Sequence, residues 1–266
     1  MVRMRGTDNQ FGLYPEEDKK PVAVISDTHY ERRSPPAVEE EIKQIENYGD
    51  IYGCEELWAA GDIGSISDVE KLIDSDFETI RLVPGNHDHW DEITLKKNSL
   101  LLDDIHCHEK LDWELEIGSD NYKICMSHRP HDFGTRVSYE EGMDCDYSNY
   151  DILVHGHSHM SHFRPLEEKV VALGCGSTHK NFYMPSRFPR RSMQVLEINS
   201  AIDIKEIDIE RDEVVLEKLF KKTKDGGFEE SVEWRQGHYD KLFGENVTRQ
   251  DSQVPEYQDL SAVNLL

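Results

Sequence analysis

Short apolar segments separated by helical stretches constrain the fold of this 266-residue chain more than any other feature. Residues 22–25, 57–60 and 79–83 each have the length and composition of a buried β-strand, and each runs into polar loop residues. The stretches between them have the periodicity of helices. This β-α-β-α-β order predicts a parallel sheet whose strands all end at the same edge.

The boundaries of the first two helices are indicated by capping residues and a glycine. Ser34, followed by two prolines, is a typical helix start, and Gly49 is predicted to lie near the end of that helix. Ser67 is predicted to cap a second helix that runs through Ile73. Each helix would then connect two parallel strands.

The rest of the chain indicates antiparallel pairing as well. Residues 113–117 alternate apolar and polar side chains, a turn with a glycine follows, and residues 122–126 return as a second strand. Further apolar strands are predicted at residues 152–154, 170–173, 193–198 and 202–209. Residues 214–220 fit either a helix or a strand.

Polar residues with metal-binding chemistry follow five of these strands. Because strand ends gather at one edge of such a fold, we expect the five groups to lie close together. Their Asp, Asn and His side chains offer oxygen and nitrogen ligands suited to Mn, Fe or Zn, whereas a structural zinc site would need thiolates. The groups are Asp27-Thr-His29, Gly61-Asp62, Gly85-Asn-His-Asp88, Ser127-His128 and Gly156-His-Ser-His159.

This ordered set resembles the motifs of the calcineurin-like metallophosphoesterases, which read D-x-H, GD, GNH[D/E], a lone His and GHxH. The resemblance covers roughly residues 21–200. It implies an α/β fold, a four-layer α/β-β/α sandwich of two mixed β-sheets flanked by helices. Gly174 and Cys175 replace the Asn-Pro of many members, so nothing is transferred from that segment.

The resemblance also implies a centre with two divalent metal ions (Mn, Fe, Zn or similar). Asp27, His29 and His159 would hold one ion, and Asn86, His128 and His157 the other. Asp62 would bridge the two ions. A water shared by two such ions becomes a hydroxide near neutral pH, which attacks phosphorus in line with the leaving oxygen.

His87 and Asp88 have no metal-binding role in this assignment. His87 is the candidate catalytic acid that protonates or hydrogen-bonds the leaving oxygen, and a purely structural hydrogen bond is the alternative. Asp88 either orients His87 or caps the next helix. Arg129 and His131 are weaker candidates for contacts with substrate phosphate.

The formal charge of −24 limits the class of substrate. So acidic a chain is repelled by duplex nucleic acid and by anionic membranes, but metal ions reverse the field at one site. The resemblance implies hydrolysis of a phosphate ester, with a phosphodiester favoured and a phosphomonoester or a nucleotide polyphosphate as alternatives, and the charge leads us to expect a small one. A catalytically silent scaffold with the same fold is the alternative from another class. The retromer subunit of that kind lacks the His of the third motif, whereas His87 is present here.

Residues within and directly after the motifs indicate which branch of the family the chain resembles. Tyr30 after the first motif, Ile63 after the second and Asp88 in the third disfavour the protein serine/threonine phosphatases. No basic groove or DNA-binding cap of the repair nucleases is evident. The resemblance is therefore to the small phosphodiesterase-type branch.

Three regions are predicted: an N-terminal extension over 1–20, the metallophosphoesterase catalytic domain over 21–209, and a partly irregular C-terminal extension over 210–266. The five cysteines form no C-x-x-C pair, and the N-terminus lacks the apolar segment of a signal peptide. Both features predict a cytoplasmic protein. The oligomeric state is left open.

Overall fold

The computed structural model describes residues 20–100, 103–129, 149–157, 159, 161–166, 170–175, 177–178 and 191–230. Two mixed sheets lie face to face, so the predicted α/β class with two mixed sheets is confirmed. In this part of the chain all three helices pack on the first sheet. The predicted helical layer on the second sheet stays a prediction.

The first sheet has eight strands in the order β13-β12-β11-β10-β1-β2-β3-β4. β1 to β3 are parallel, as predicted, and β4 adds a further parallel strand that was not predicted. β10 to β13 continue the sheet in antiparallel pairs. The strands are β1 (Lys20–Ile25), β2 (Glu56–Ala59), β3 (Thr79–Leu82), β4 (Ile105–Cys107), β10 (Ser192–Ile198), β11 (Ala201–Asp208), β12 (Glu213–Lys222) and β13 (Phe228–Glu230).

The second sheet has five strands in the order β5-β6-β7-β9-β8. The predicted hairpin is the antiparallel pair β5–β6, while β6, β7 and β9 are parallel. The strands are β5 (Lys110–Ile117), β6 (Asp120–Ser127), β7 (Ile152–His155), β8 (His162–Leu166) and β9 (Val170–Gly174).

The strand β1 is buried on both faces, which explains its uninterrupted apolar run. Val22 and Val24 belong to the core between the two sheets, and Ala23 and Ile25 belong to the core under the helices. Successive side chains of a strand point to opposite faces, so a strand between two cores has no polar position.

The helices are α1 (Pro35–Tyr52), α2 (Ile66–Ile73) and α3 (Glu92–Lys97). α1 continues past Gly49 and ends at Tyr52, and its C-cap, Gly53, has a φ of 71°. A Cβ atom at Gly49 would lie 2.9 Å from the Phe77 ring, so this glycine serves close packing rather than termination. The N-cap of α2 is Ser65 instead of the predicted Ser67, because Ser65 forms a capping box with Asp68.

The sheet continues beyond residue 209, the predicted end of the catalytic domain. The segment that fitted a helix or a strand is the strand β12, which pairs with β11 and with β13. Residues 1–19 and 231–266, which make up most of the predicted extensions, lie outside the described residues. Among the residues described, no helix combines the length and the apolar character needed to cross a membrane.

Candidate metal centre

The five polar groups meet where β1, β2, β3, β6 and β7 end. Backbone hydrogen bonds join the loops directly: Asp27 N–H donates to the Gly61 carbonyl at 2.9 Å, and Gly156 N–H donates to the His128 carbonyl at 3.1 Å. The centre therefore spans the carboxyl ends of both sheets, as expected for a ligand site in an α/β fold.

One group of donors consists of Asp27, His29, Asp62 and His159, whose ligand atoms all lie within 4.8 Å of one another. His29 Nε2 is 3.4 Å from His159 Nε2, which in turn is 3.2 Å from Asp27 Oδ1. Asp27 is fully buried, whereas His159 is partly exposed.

A second group consists of Asn86, His128 and His157. Asn86 Oδ1 lies 2.8 Å from His157 Nδ1 and 3.2 Å from His128 Nε2. The other ring nitrogen of His128, Nδ1, is 2.8 Å from the Ala60 carbonyl oxygen. Because a carbonyl oxygen only accepts, Nδ1 carries a hydrogen and Nε2 faces the centre.

Asp62 lies between the two groups. Its Oδ2 is 3.7 Å from His29 Nε2 and 3.4 Å from His128 Nε2. Its Oδ1 accepts a hydrogen bond from the His87 backbone N–H at 2.8 Å. The backbone of the third motif thus fixes the orientation of the carboxylate that lies between His29 and His128.

The backbone is left-handed at most of these residues. Five of the seven predicted ligands have positive φ values, and in the described residues only Ser99 and Asp212 are further non-glycine examples. Such conformations cost energy and concentrate at functional sites. The five are Asp27 (52°), His29 (47°), Asp62 (53°), His157 (66°) and His159 (54°).

Glycines in two of the motifs make room for the carboxylates. A Cβ atom at Gly85 would lie 2.0 Å from Asp62 Oδ1, and one at Gly156 would lie 2.9 Å from Asp27 Oδ2. Neither distance is tolerated by carbon and oxygen atoms. The glycines are therefore required by the close approach of the loops to Asp27 and Asp62.

Burial and charge perturb the titration of these groups strongly. Burial raises the pKa of Asp27 to about 7 and lowers the pKa of His29 to about 3. Burial also acts to raise the pKa of Asp62, but its hydrogen bond to His128 and the charge of that imidazole hold the pKa well below its usual range. Burial acts to lower the pKa of His128, but its hydrogen bond to Asp62 and the charges of Asp27 and Asp62 raise the pKa overall. His29, by contrast, has an uncharged imidazole at neutral pH, which favours metal coordination.

The donor set fits divalent cations. Buried carboxylate oxygens and imidazole nitrogens face one another across 3.2 to 3.7 Å, and Asp27 Oδ1 has no hydrogen-bond partner in the described part of the chain. Atoms with lone pairs directed at one another are stabilised by a cation placed between them. Oxygen and nitrogen donors of this kind suit Mn, Fe or Zn.

A family model for the calcineurin-like phosphoesterase superfamily domain matches residues 21–201. The chain belongs to this superfamily. Membership supports metal-dependent phosphoesterase activity, and the cluster of Asp and His side chains is suited to a divalent metal. No match was found among curated proteins.

Three solved structures are similar to this phosphoesterase domain at low identity. A predicted phosphoesterase from Streptococcus pneumoniae TIGR4 is 22% identical over 76% of this chain and 97% of that chain, with a TM-score of 0.48. The phosphoesterase Yfce from E. coli is 18% identical over 74% and 97%, with a TM-score of 0.47. Vps29 from Entamoeba histolytica, complexed with Zn²⁺, is 18% identical over 75% and 97%, also with a TM-score of 0.47. The family assignment rests on the sequence match.

In this phosphoesterase domain the third motif has three different tasks. Asn86 faces His128 and His157, as described above, and the exposed His87 ring lies 5.4 Å from the His29 ring. Asp88 neither orients His87 nor caps α3, whose N-cap is Asp91. Its carboxylate accepts instead from the backbone N–H groups of Gly64 (2.8 Å) and Gly85 (2.7 Å).

Several supporting residues were not singled out from the sequence. Ser26 Oγ donates to Asp27 Oδ2, and Ser177 Oγ donates to the Asp27 carbonyl at 2.6 Å. Trp90 Nε1 donates to the Gly64 carbonyl at 3.0 Å, opposite the bond that Gly64 N–H makes to Asp88. Ser26 and Trp90 were indicated only by their adjacency to the motifs, and Ser177 lies in the segment from which nothing was transferred. Arg129 is exposed, and His131 lies outside the described residues.

Proposed function

We propose that the chain hydrolyses a small phosphodiester at this centre, with two divalent metal ions held by the seven predicted ligands. The position of Asp62 is the observation that supports this most. One of its carboxylate oxygens, Oδ2, lies 3.7 Å from His29 Nε2 and 3.4 Å from His128 Nε2. A carboxylate adjacent to both donor groups is what a bridging ligand requires.

Each group of donors would hold one ion: Asp27, His29 and His159 on one side, and Asn86, His128 and His157 on the other. Bound ions supply an activated water nucleophile and stabilise charge on the phosphate oxygens. The chain's own contribution is to fix the donors: Ser26 and the His157 backbone N–H hold Asp27 Oδ2, and the His87 backbone N–H holds Asp62 Oδ1.

His87 is proposed as the residue that protonates the leaving oxygen. Its side chain is exposed, as are those of Asn86 and His157, whereas Asp27, Asp62 and His128 are buried. A bound ester would therefore contact the imidazole from solvent. Replacing an acid of this kind lowers rates by about 10²–10⁴-fold. The loss should be largest for substrates with poor leaving groups, because nitrophenolate leaves without a proton.

The charge of −24 supports a small substrate. Long polyanions are repelled by the surface as a whole, whereas a small ester reaches the field of the metal ions at the centre. No duplex nucleic acid or membrane partner is proposed.

The test is turnover of bis(p-nitrophenyl) phosphate by chelator-treated protein with and without added Mn²⁺. We expect Mn²⁺-dependent release of nitrophenolate, which Asp62→Asn abolishes. Asp203→Asn is the matched control, because this carboxylate on β11 contacts Lys205 (2.9 Å) rather than the centre. Equal rates for wild type and Asp62→Asn would overturn the hydrolase assignment and favour a catalytically silent scaffold.

A substrate panel separates the phosphodiester from the alternatives. With Mn²⁺ restored, we expect higher kcat/KM for bis(p-nitrophenyl) phosphate and cyclic nucleotides than for p-nitrophenyl phosphate or dinucleotide polyphosphates. The reverse order would assign the centre to phosphomonoesters or to nucleotide polyphosphates.

A further inference from the structure

A buried carboxylate on α1 lies behind the metal-binding loops without belonging to them. Glu41 is 0% exposed, and its Oε2 accepts from the guanidinium groups of both Arg33 and Arg191. We call these three residues the Glu41 brace. Arg33 and Arg191 are 158 positions apart in the sequence, so the brace joins distant parts of the chain.

One arm of the brace supports the turn that follows His29. The backbone N–H of Arg33 donates to the Tyr30 carbonyl at 3.0 Å, and the Arg33 guanidinium lies 5.8 Å from the centre of the Tyr30 ring. The next bond toward the centre is made by Arg32 N–H, which donates to the His29 carbonyl at 3.0 Å. The Arg33 side chain thus connects Glu41 to Tyr30, in the short turn that directly follows His29.

The other arm supports Asp27 from the opposite side. Arg191 Nε donates to the Thr178 carbonyl at 2.7 Å, and Thr178 N–H donates to the Ser26 carbonyl at 3.4 Å. The neighbouring Ser177 Oγ donates to the Asp27 carbonyl at 2.6 Å. Through Arg191 and residues 177–178, hydrogen bonds therefore connect Glu41 to the backbone carbonyls of Ser26 and Asp27.

We infer that Glu41 is a positioning residue of the metal centre, which holds Asp27 and His29 in their left-handed backbone conformations through Arg191 and Arg33. The inference rests on the proposed function. Left-handed conformations at non-glycine residues persist only where the surroundings enforce them. Groups behind the ligands commonly enforce such geometry and thereby set metal affinity.

The opposite end of the same sheet provides a matched control. Glu56 is also buried, and it contacts Lys20 Nζ at 2.5 Å and Arg81 Nε at 3.3 Å. Trp58 Nε1 adds a hydrogen bond at 3.0 Å. Glu56 resembles Glu41 in burial and in its two basic partners, but none of these partners leads to a predicted ligand.

The experiment compares Mn²⁺ affinity, by isothermal titration calorimetry on the chelator-treated full chain, for Glu41→Gln and Glu56→Gln. Thermal unfolding of each metal-free protein reports its stability. We expect Glu41→Gln to weaken Mn²⁺ binding by about 10–100-fold. Glu56→Gln should lower the melting temperature comparably but keep the dissociation constant within about twofold of wild type.

A second pair of variants decides the matter if Glu41→Gln does not fold. Arg191→Lys keeps the charge, but one ammonium group cannot reproduce the fork that bonds Glu41 and the Thr178 carbonyl together. We expect weaker Mn²⁺ binding for Arg191→Lys and unchanged binding for Arg81→Lys. Affinities that fall equally in both members of a pair, or in neither, would overturn the positioning role. A wild type that binds no Mn²⁺ would instead overturn the proposed function itself.

Discussion

The two ends of β1 and β2 bury carboxylates in opposite ways. At the amino end, Glu56 has cationic partners from its own chain, Lys20 and Arg81. At the carboxyl end, Asp27 and Asp62 are buried among imidazoles. The same two strands therefore carry a carboxylate paired with lysine and arginine at one end. At the other end they carry carboxylates grouped with imidazoles, which are suited to binding a metal ion.

The pKa values of Glu56 and Asp27 are shifted in opposite directions. Burial acts to raise the pKa of Glu56, but the hydrogen bonds from Lys20 and Trp58 and the charge of Arg81 lower it overall. Asp27 has the opposite balance, since burial raises its pKa to about 7. At Asp27 the cost of burial outweighs the favourable charge of His128, so this residue gives up stability where a metal ion is expected.

The backbone differs between the ends as well. At the amino end Val22 of β1 pairs with Glu56 of β2, which pairs in turn with Thr79 of β3, in a regular register. At the carboxyl end Asp27 and Asp62 have positive φ values. Regular pairing at one end thus anchors a strained arrangement at the other, and the following variants test this contrast.

Gly85→Ala should have the largest effect. The new Cβ would lie 2.0 Å from Asp62 Oδ1 and 2.2 Å from the Asp62 backbone nitrogen, so the loops must separate. We expect destabilisation by about 3 kcal/mol and loss of Mn²⁺-dependent turnover. Gly226→Ala is the control: its φ is 86° but open space surrounds it, so it should cost about 1 kcal/mol and leave turnover unchanged. Chemical denaturation and steady-state kinetics measure both.

Glu56→Gln should lower stability without affecting the reaction. Two cations lose their partner, and because Lys20 is partly exposed we expect a loss of about 2 kcal/mol at neutral pH. The pKa of Glu56 is lowered on folding, so its stabilisation is present above its ordinary pKa of 4.5 and disappears as the pH falls below that value. Denaturation curves of the two proteins should therefore converge in acid. A constant difference at all pH values would contradict the ion-pair explanation.

Asp27→Asn should stabilise the metal-free protein by about 1 kcal/mol while removing turnover. The substitution removes the cost of burying the Asp27 charge and keeps an acceptor for the His157 backbone N–H. Melting temperatures in chelator and in excess Mn²⁺ measure the effect: Mn²⁺ should stabilise wild type and not the variant. A metal-free variant less stable than wild type would show that Asp27 is a structural residue.

Trp90→Phe should have the smallest effect, about 1 kcal/mol, together with a modest fall in turnover. It removes the hydrogen bond to the Gly64 carbonyl, two residues after Asp62. Trp113→Phe is the comparison at the other end, because in the described residues Trp113 Nε1 has no hydrogen-bond partner. Equal changes in kcat for the two variants would remove the distinction between the ends.

The sequence predicted most of the strands and the polar residues that directly follow them. Alternation and apolar runs identified nine of the thirteen strands described, but not β4, β8 or β13, and β12 was left open between helix and strand. The five polar groups meet as expected because parallel strands share an edge. The family motif was needed to place Asp62 between two groups of donors, since spacing alone does not define a shared ligand.

The contacts that sequence reasoning missed are long-range. The brace brings Glu41 and Arg191 together across 150 positions, and nothing local in either segment indicates it. Asp88 bonds backbone N–H groups of two loops, whereas its neighbour His87 suggested a side-chain partner. Pairing with β11 also makes β12 a strand, although its local sequence pattern fitted a helix and a strand equally well.

The most direct test of the account is the Mn²⁺ content of each protein after loading and gel filtration, measured by mass spectrometry of the metal. The account predicts about two ions per wild-type chain, the same for Glu56→Gln, and a loss for Asp62→Asn. A wild type that retains no Mn²⁺, or an Asp62→Asn variant that retains as much as wild type, would contradict a metal centre organised by Asp62.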